Sequence, residues 1–458
     1  MIRPPLAHFR WVWRAGGLTN LRALALVVLA AGGCGRCSND TDAAEDAGPP
    51  SIPLPSALLP APGPWSFQPV SGRPTFALPA QCQIRAPTLR APVASSTRFV
   101  ADPRSLGALV IADAPGSPPT LSGAAGLSFD SSGAAVAMPV LVPWFAADVM
   151  PRLARGPDGA WLGAFVQPGA AGAQRVALWR GGVAESIGEG DGFDAVDLGC
   201  SDRRCALLTS RLSRVAAPGA DVWIGAPPPG SRSPGPGAAA FRRVEIPLKE
   251  GVNEALPVGV AAVDVGSAVS PPDAGSAVSP PDAGEIPAGV IVTVLEGDQL
   301  VFYEADDPGQ AGPHEIARLA APHGVIDAAA TPAALALTYG TAVDADGCGR
   351  GPVKARLERV GLPSVELNSP AAPLAGSVRR LQRGALITWL APLGCGVARR
   401  VVFAVVTQSD GTPLGDPVPL ADGVSFAVAS SGDDVDLWIQ DEEAVTWVRA
   451  RCAAPLGR

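Results

Sequence analysis

Across 458 residues, no segment sustains a helical period over three turns, and Gly or Pro interrupts most candidates. What recurs is the short strand closed by an Asp, Gly or Ser turn. The C-terminus shows it most plainly. Arg400–Thr407 meets a turn at Ser409-Asp-Gly411, and Val424–Ala429 turns at Ser430–Asp434 into Val435–Gln440. Asp441-Glu-Glu443 then turns into Ala444–Arg449. Such runs make antiparallel meanders. A hydrophobic content of 47% is ample for a large core.

The strand pairs recur as units. Starts align at Thr97, Val149, Phe193, Val252, Val325, Val378 and Val424. Most are followed by a turn and a second strand, as at Gly159–Phe165, Cys205–Thr209, Ala333–Thr338 and Gly384–Trp389. Most starts lie roughly 45 to 55 residues apart once a duplicated insert is discounted, the size of a four-stranded blade. Turn-plus-Trp segments ending at Trp161, Trp223 and Trp438 resemble blade motifs. The whole pattern resembles a β-propeller, most simply with seven blades and with six to eight open; β-sandwich domains are the alternative. After Val424 the chain supplies two or three strands, so the missing outer strand is expected from Gln81–Arg85, interlocking the two ends.

Eight cysteines accompany this pattern. Cys200 and Cys205 bracket a hairpin turn, and Cys348 and Cys395 occupy comparable loops of consecutive units. Cys82 and Cys452 would staple the closing unit, so the repeat alignment pairs all six as disulfides. The C-x4-C spacing has no second pair and no nearby histidine, so metal binding is not expected.

The N-terminus carries an address. Arg3, Arg10, Arg14 and Arg22 precede the apolar run Leu24–Ala31, which is followed by Gly32-Gly33-Cys34, and no acid occurs before Asp40. The run is too short for a bilayer span of roughly 20 residues. Basic flank, short apolar core and small residues before the cut describe an export signal. It resembles a bacterial lipoprotein signal, which implies acylation of Cys34; Ala31 stands where such signals usually carry Leu. Gly35 after the cysteine favours the outer over the inner membrane. An ordinary secretory signal is the alternative. The organisation read from the sequence is therefore a signal peptide at 1–33, an acidic and Pro-rich tether at 34–78, and a propeller-like domain at 79–458. That domain holds a low-complexity insert at 264–287, where Ser267–Gly275 recurs unchanged as Ser276–Gly284. A second Pro-rich stretch spans Ala226–Gly237.

Removing residues 1–33 takes away four arginines and no acid, moving the formal charge from −8 to −12. So acidic a chain, without a basic stripe, is a poor partner for nucleic acid. It holds no nucleophile elbow, P-loop or zincin motif. His314 and His323 are isolated, and the acidic turns Asp344–Asp346 and Asp433–Asp436 lack the glutamate of a full calcium loop. No catalytic residue, metal site or cofactor is expected. The sequence leaves two readings: an envelope lipoprotein whose propeller binds or scaffolds a protein or glycan, or a propeller hydrolase using carboxylates at its central channel. The second requires two or more carboxylates with His or Arg to converge on one channel face.

Overall fold

The computed structural model describes residues 67–70 and 76–92, the strands between 98 and 262, and residues 289–305, 312–330, 334–340 and 355–453. The signal segment, Cys34, Cys37, most of the tether, both Pro-rich inserts, Asp344–Asp346 and Cys348 lie outside the described residues. Every regular element among the described residues is a strand.

Three short strands come first: β1 (Gln68–Pro69), β2 (Cys82–Ile84) and β3 (Leu89–Pro92). The first sheet holds β4 (Arg98–Ala101), β5 (Gly107–Asp113), β6 (Leu121–Ser128) and β7 (Val140–Ala146). The second holds β8 (Arg152–Arg155), β9 (Trp161–Pro168), β10 (Gln174–Arg180) and β11 (Val183–Gly190). The third holds β12 (Phe193–Cys200), β13 (Cys205–Arg211), β14 (Gly219–Gly225) and β15 (Arg242–Glu245). The fourth holds β16 (Ala255–Ala262), β17 (Val290–Glu296), β18 (Gln299–Glu304) and β19 (His314–Ala320). The fifth holds β20 (Val325–Ala330), β21 (Ala334–Tyr339), β22 (Ala355–Arg359) and β23 (Leu362–Leu367). The sixth holds β24 (Ala375–Leu381), β25 (Gly384–Pro392), β26 (Arg400–Gln408) and β27 (Val418–Asp422). The seventh combines β28 (Ser425–Ser431), β29 (Asp434–Gln440) and β30 (Ala444–Cys452) with β1, β2 and β3.

Each of the first six sheets is an antiparallel meander in chain order. First strands neighbour one another from sheet to sheet: β8 beside β12, then β16, β20, β24 and β28, with β28 beside β4. Strands β7 and β9 link the first sheet to the second. Seven sheets in such a cycle are the blades of a β-propeller, and the sandwich alternative falls away. The expected interlock is present, in a doubled form: β2 pairs with β30 through Cys82 opposite Cys452, and β3 pairs with β30 through Leu89 opposite Trp447.

The core lies between the blades. One apolar cluster joins Leu390, Val402 and Leu420 of the sixth blade to Val435, Leu437 and Val448 of the seventh. Others join the second to the third, the third to the fourth, the fourth to the fifth and the fifth to the sixth. A middle strand is thus covered on both faces, which is why Gly384–Ala391 is buried without interruption and shows no polar alternation.

The domain boundary differs from the sequence reading. Phe67, placed in the tether by composition, is 4% exposed and packs edge-on against Trp438 and Trp447. Gln68–Pro69 then pairs with Pro-bearing β3. The folded part therefore includes Phe67, twelve residues before the expected 79, because one aromatic anchor outweighs the Pro-rich composition around it.

Strands β12 and β16 run the same way, with Asp197 beside Val260 and Gly199 beside Val260–Ala261. The strand ends at Gly225 and Ala262, from which the two Pro-rich inserts depart, therefore lie on the same face of the ring. The Cys200–Cys205 turn lies there too.

Candidate functional site at the inner strands

A propeller places its first strands around the central channel, so these strands are where converging side chains must be sought. Strands β12, β16 and β20 each carry a bulge, between Ala195 and Asp197, Pro257 and Gly259, and Val325 and Asp327. A bulge re-aims the residue that follows it. That residue is Asp197, Gly259 and Asp327 in turn.

Both aspartates reach to the next blade. Asp197 Oδ2 accepts the backbone N–H of Val260 at 2.9 Å, while its Oδ1 accepts the N–H of Leu198 at 2.9 Å. Asp327 Oδ2 accepts the N–H of Val378 at 2.7 Å. Gly259 leaves room for the first of these bonds, since a Cβ there would stand 3.3 Å from Asp197 Oδ2. Arg379 continues the series by donating from Nε to the Val428 carbonyl at 3.1 Å, with Nη1 3.6 Å from Asp327 Oδ2.

Two carboxylates and an arginine therefore lie on the inner strands, with Asp327 and Arg379 adjoining and Asp197 two blades earlier. Asp327 keeps 23% of its side chain exposed and Arg379 39%. Burial raises the Asp327 carboxyl above the ordinary range, the Asp197 charge adds to this, and Arg379 with the Val378 N–H pulls the other way. In chemical terms the arrangement ties blade to blade: each carboxylate accepts an N–H bond from a neighbouring inner strand. At the adjoining turn the pattern repeats, with the Gln382 N–H donating to Asp433 Oδ1 at 3.0 Å and Ser430 Oγ to the Arg380 carbonyl at 3.0 Å.

The acidic turn at Asp433–Asp436 is divided among separate partners. Asp433 takes Gln382, Asp434 pairs with Arg85, and Asp436 accepts the Trp447 indole N–H at 2.8 Å. Among the described residues no group of three or more His, Cys, Asp or Glu is placed to hold a metal. His314 and His323 are not brought together. His314 opens β19 with Nε2 3.5 Å from Glu304 Oε2, whereas His323 is exposed beyond the other end of that strand.

Among the described residues the cysteines are bonded to one another or to a further cysteine, and several tryptophans pack in the core. Cys82–Cys452 and Cys200–Cys205 are disulfides, and Cys395 is disulfide-bonded. Trp223 Nε1 donates to Thr209 Oγ1 at 3.1 Å beneath the Arg243 guanidinium, and Trp438 stacks on Trp447 at 4.6 Å.

Sequence reasoning missed three polar groups. Asp197 and Asp327 stood in two aligned unit starts, but at different offsets, because β12 runs two residues further ahead of its bulge than β20 does. Asp221, fully buried, is held by Arg243 through both oxygens at 3.0 and 3.1 Å. Glu296, also buried, accepts the Tyr303 hydroxyl at 2.6 Å and Arg318 at 3.1 Å. No short motif marks such pairs; they are legible only once strand register is known.

No protein-family model matches the chain, and no curated protein matches it. Among solved structures it is similar to the subtype N10 neuraminidase-like protein of A/little yellow-shouldered bat/Guatemala/060/2010. That match has 10% identity, a TM-score of 0.39, and 80% of this chain against 99% of that one. It is also similar to the subtype N11 neuraminidase-like protein of A/flat-faced bat/Peru/033/2010 (H18N11). There the identity is 10%, the TM-score 0.38, and the coverage 86% of this chain and 95% of that one.

Proposed function

We propose that this chain is a cell-envelope lipoprotein, held by acyl chains on Cys34, whose seven-bladed ring binds or scaffolds an envelope protein or a glycan without catalysing a reaction. The observation that carries the reading is the use of Asp197 and Asp327. Both accept backbone N–H groups of the adjacent blade through one carboxylate oxygen, a use that supports a structural role in the ring. The anchor follows from the lipoprotein-like signal before Cys34. Each buried methylene contributes about 0.8 kcal/mol, so two or three acyl chains hold the protein firmly. The acidic, Pro-rich segment after Cys34 would hold the ring clear of the headgroups. Gly35 favours the outer membrane.

The competing reading, a hydrolase built on Asp197, Asp327 and Arg379, needs these groups to leave their partners before acting. Membrane fractionation with mass spectrometry of the N-terminal peptide tests the anchor. Acylated Cys34, and release of Cys34→Ala into the soluble fraction, are expected. An unmodified Cys34 on protein that is still exported would defeat it. For the ring, Asp197→Asn with Asp327→Asn is expected to leave capture of envelope components unchanged. A glycan-cleaving activity abolished by the same pair would establish the hydrolase.

A further inference from the structure

Cys82 and Cys452 stand 370 residues apart, and the chain from one to the other supplies all of the first six blades and five of the six strands of the seventh. Of the seventh blade only β1 lies outside this stretch, so the disulfide makes the propeller a covalent ring. It is shielded: Cys452 is fully buried, Cys82 is 9% exposed, and both belong to the apolar cluster between the last two blades. Backbone bonds flank it, from the Ala453 N–H to the Gln81 carbonyl at 3.0 Å, and Gln81 Nε2 donates to the Leu414 carbonyl of the sixth blade at 2.8 Å. Both Pro-rich inserts, Ala226–Gly237 and 264–287, fall in the chain between the two cysteines.

We propose that the Cys82–Cys452 disulfide makes the propeller tolerant of a break in its own backbone: a chain cut in the β16–β17 connection remains one closed domain. Cutting hydrolyses one peptide bond, with water supplying the hydroxyl of the new carboxyl and the hydrogen of the new amine, and leaves the S–S bond unchanged. One piece then carries β1–β16 and the other β17–β30. Without the disulfide, and with Cys395 paired to Cys348 on the same piece as the repeat alignment pairs them, these pieces are two molecules held by the β16–β17 ladder, by β2 and β3 on β30, and by blade packing. Their stability then depends on concentration. With it the partners are intramolecular and meet at a fixed effective concentration. The attachment of the cut ring to a membrane rests on the acylation proposed for Cys34; the ring itself does not.

The test inserts a sequence-specific protease site between Gly275 and Ser276 of the full chain, purified in detergent, and follows thermal unfolding by circular dichroism over about a 100-fold range of protein concentration. The cut, oxidised protein is expected to unfold in one transition at a concentration-independent midpoint. The cut Cys82→Ala/Cys452→Ala variant is expected to melt lower as it is diluted. If that variant fails to fold, cut wild-type protein treated with a dithiol replaces it: the disulfide becomes two thiols while the reagent closes to its own disulfide. Loss of a cooperative transition in the cut, oxidised protein overturns the proposal, as does a concentration-independent midpoint in the protein lacking the bond. The mass of the N-terminal piece reports acylation separately, so failure of the anchor is distinguishable from failure of the ring.

Discussion

The Asp327 carboxylate, on the first strand of the fifth blade, accepts the backbone N–H of Val378 on the first strand of the sixth at 2.7 Å. Asp197 makes the same bond to Val260 between the third and fourth blades at 2.9 Å. A blade's inner strand has no hydrogen-bonded partner on its channel side within its own sheet, so its N–H groups there need water or a neighbour. These aspartates supply the neighbour.

Asp327→Ala removes the acceptor and leaves the Val378 N–H without it. A loss of about 1–3 kcal/mol is expected in urea denaturation. Asp327→Asn keeps a carbonyl oxygen and should lose less. Equal losses for Ala and Asn would show that the bond to Val378 is not the source.

The pH dependence has a definite sign. Burial raises the folded-state carboxyl of Asp327 above its unfolded value. The folded protein therefore binds more protons between the two values, so this group favours folding increasingly as pH falls through the raised value. Below the unfolded value the contribution is complete, and it is lost as pH rises through the folded one. Melting temperatures of wild type and Asp327→Asn across the acid range should show wild type gaining on the variant as pH falls. Parallel curves would contradict the assignment.

Gly384→Ala places a Cβ 2.0 Å from the Thr407 carbonyl oxygen, a backbone atom of the paired strand. Accommodating it requires the β25–β26 ladder to shift, at an expected cost of about 1–3 kcal/mol. Gly394→Ala meets Val397 at an ordinary 3.5 Å and should change stability by no more than about 0.5 kcal/mol. Chemical denaturation of the two variants side by side checks the contrast.

Trp389 is fully buried, stacks on Phe403 at 5.7 Å and donates from Nε1 to Ser369 Oγ at 3.2 Å. Trp389→Ala should cost about 3–5 kcal/mol by the cavity it opens between the fifth and sixth blades. Trp389→Phe should lose less, and a calorimetric Tm series separates the two.

Local chemistry by itself determined the blade repeat and its spacing, with the number left between six and eight until the sheets fixed it at seven. The starts aligned at Thr97, Phe193, Val325 and Val424 lie at or one residue before β4, β12, β20 and β28. Gly, Asp and Ser punctuate short β-branched runs at a period that one four-stranded sheet requires. The starts at Val149 and Val252 precede their strands by three residues and that at Val378 falls three residues into its strand, because strand limits follow pairing with the next strand and not local propensity.

Tertiary structure decided which groups the charged residues meet. That Asp197 and Asp327 accept backbone N–H bonds from the next blade depends on bulges that shift register by one residue and on partners 63 and 51 residues away. Phe67 likewise joins the fold through Trp438 and Trp447, 371 and 380 positions later. Strand and turn preferences are properties of a few consecutive residues, so they are written in order along the chain. Hydrogen bonds between blades are properties of two distant backbones, and they exist only after the ring has closed.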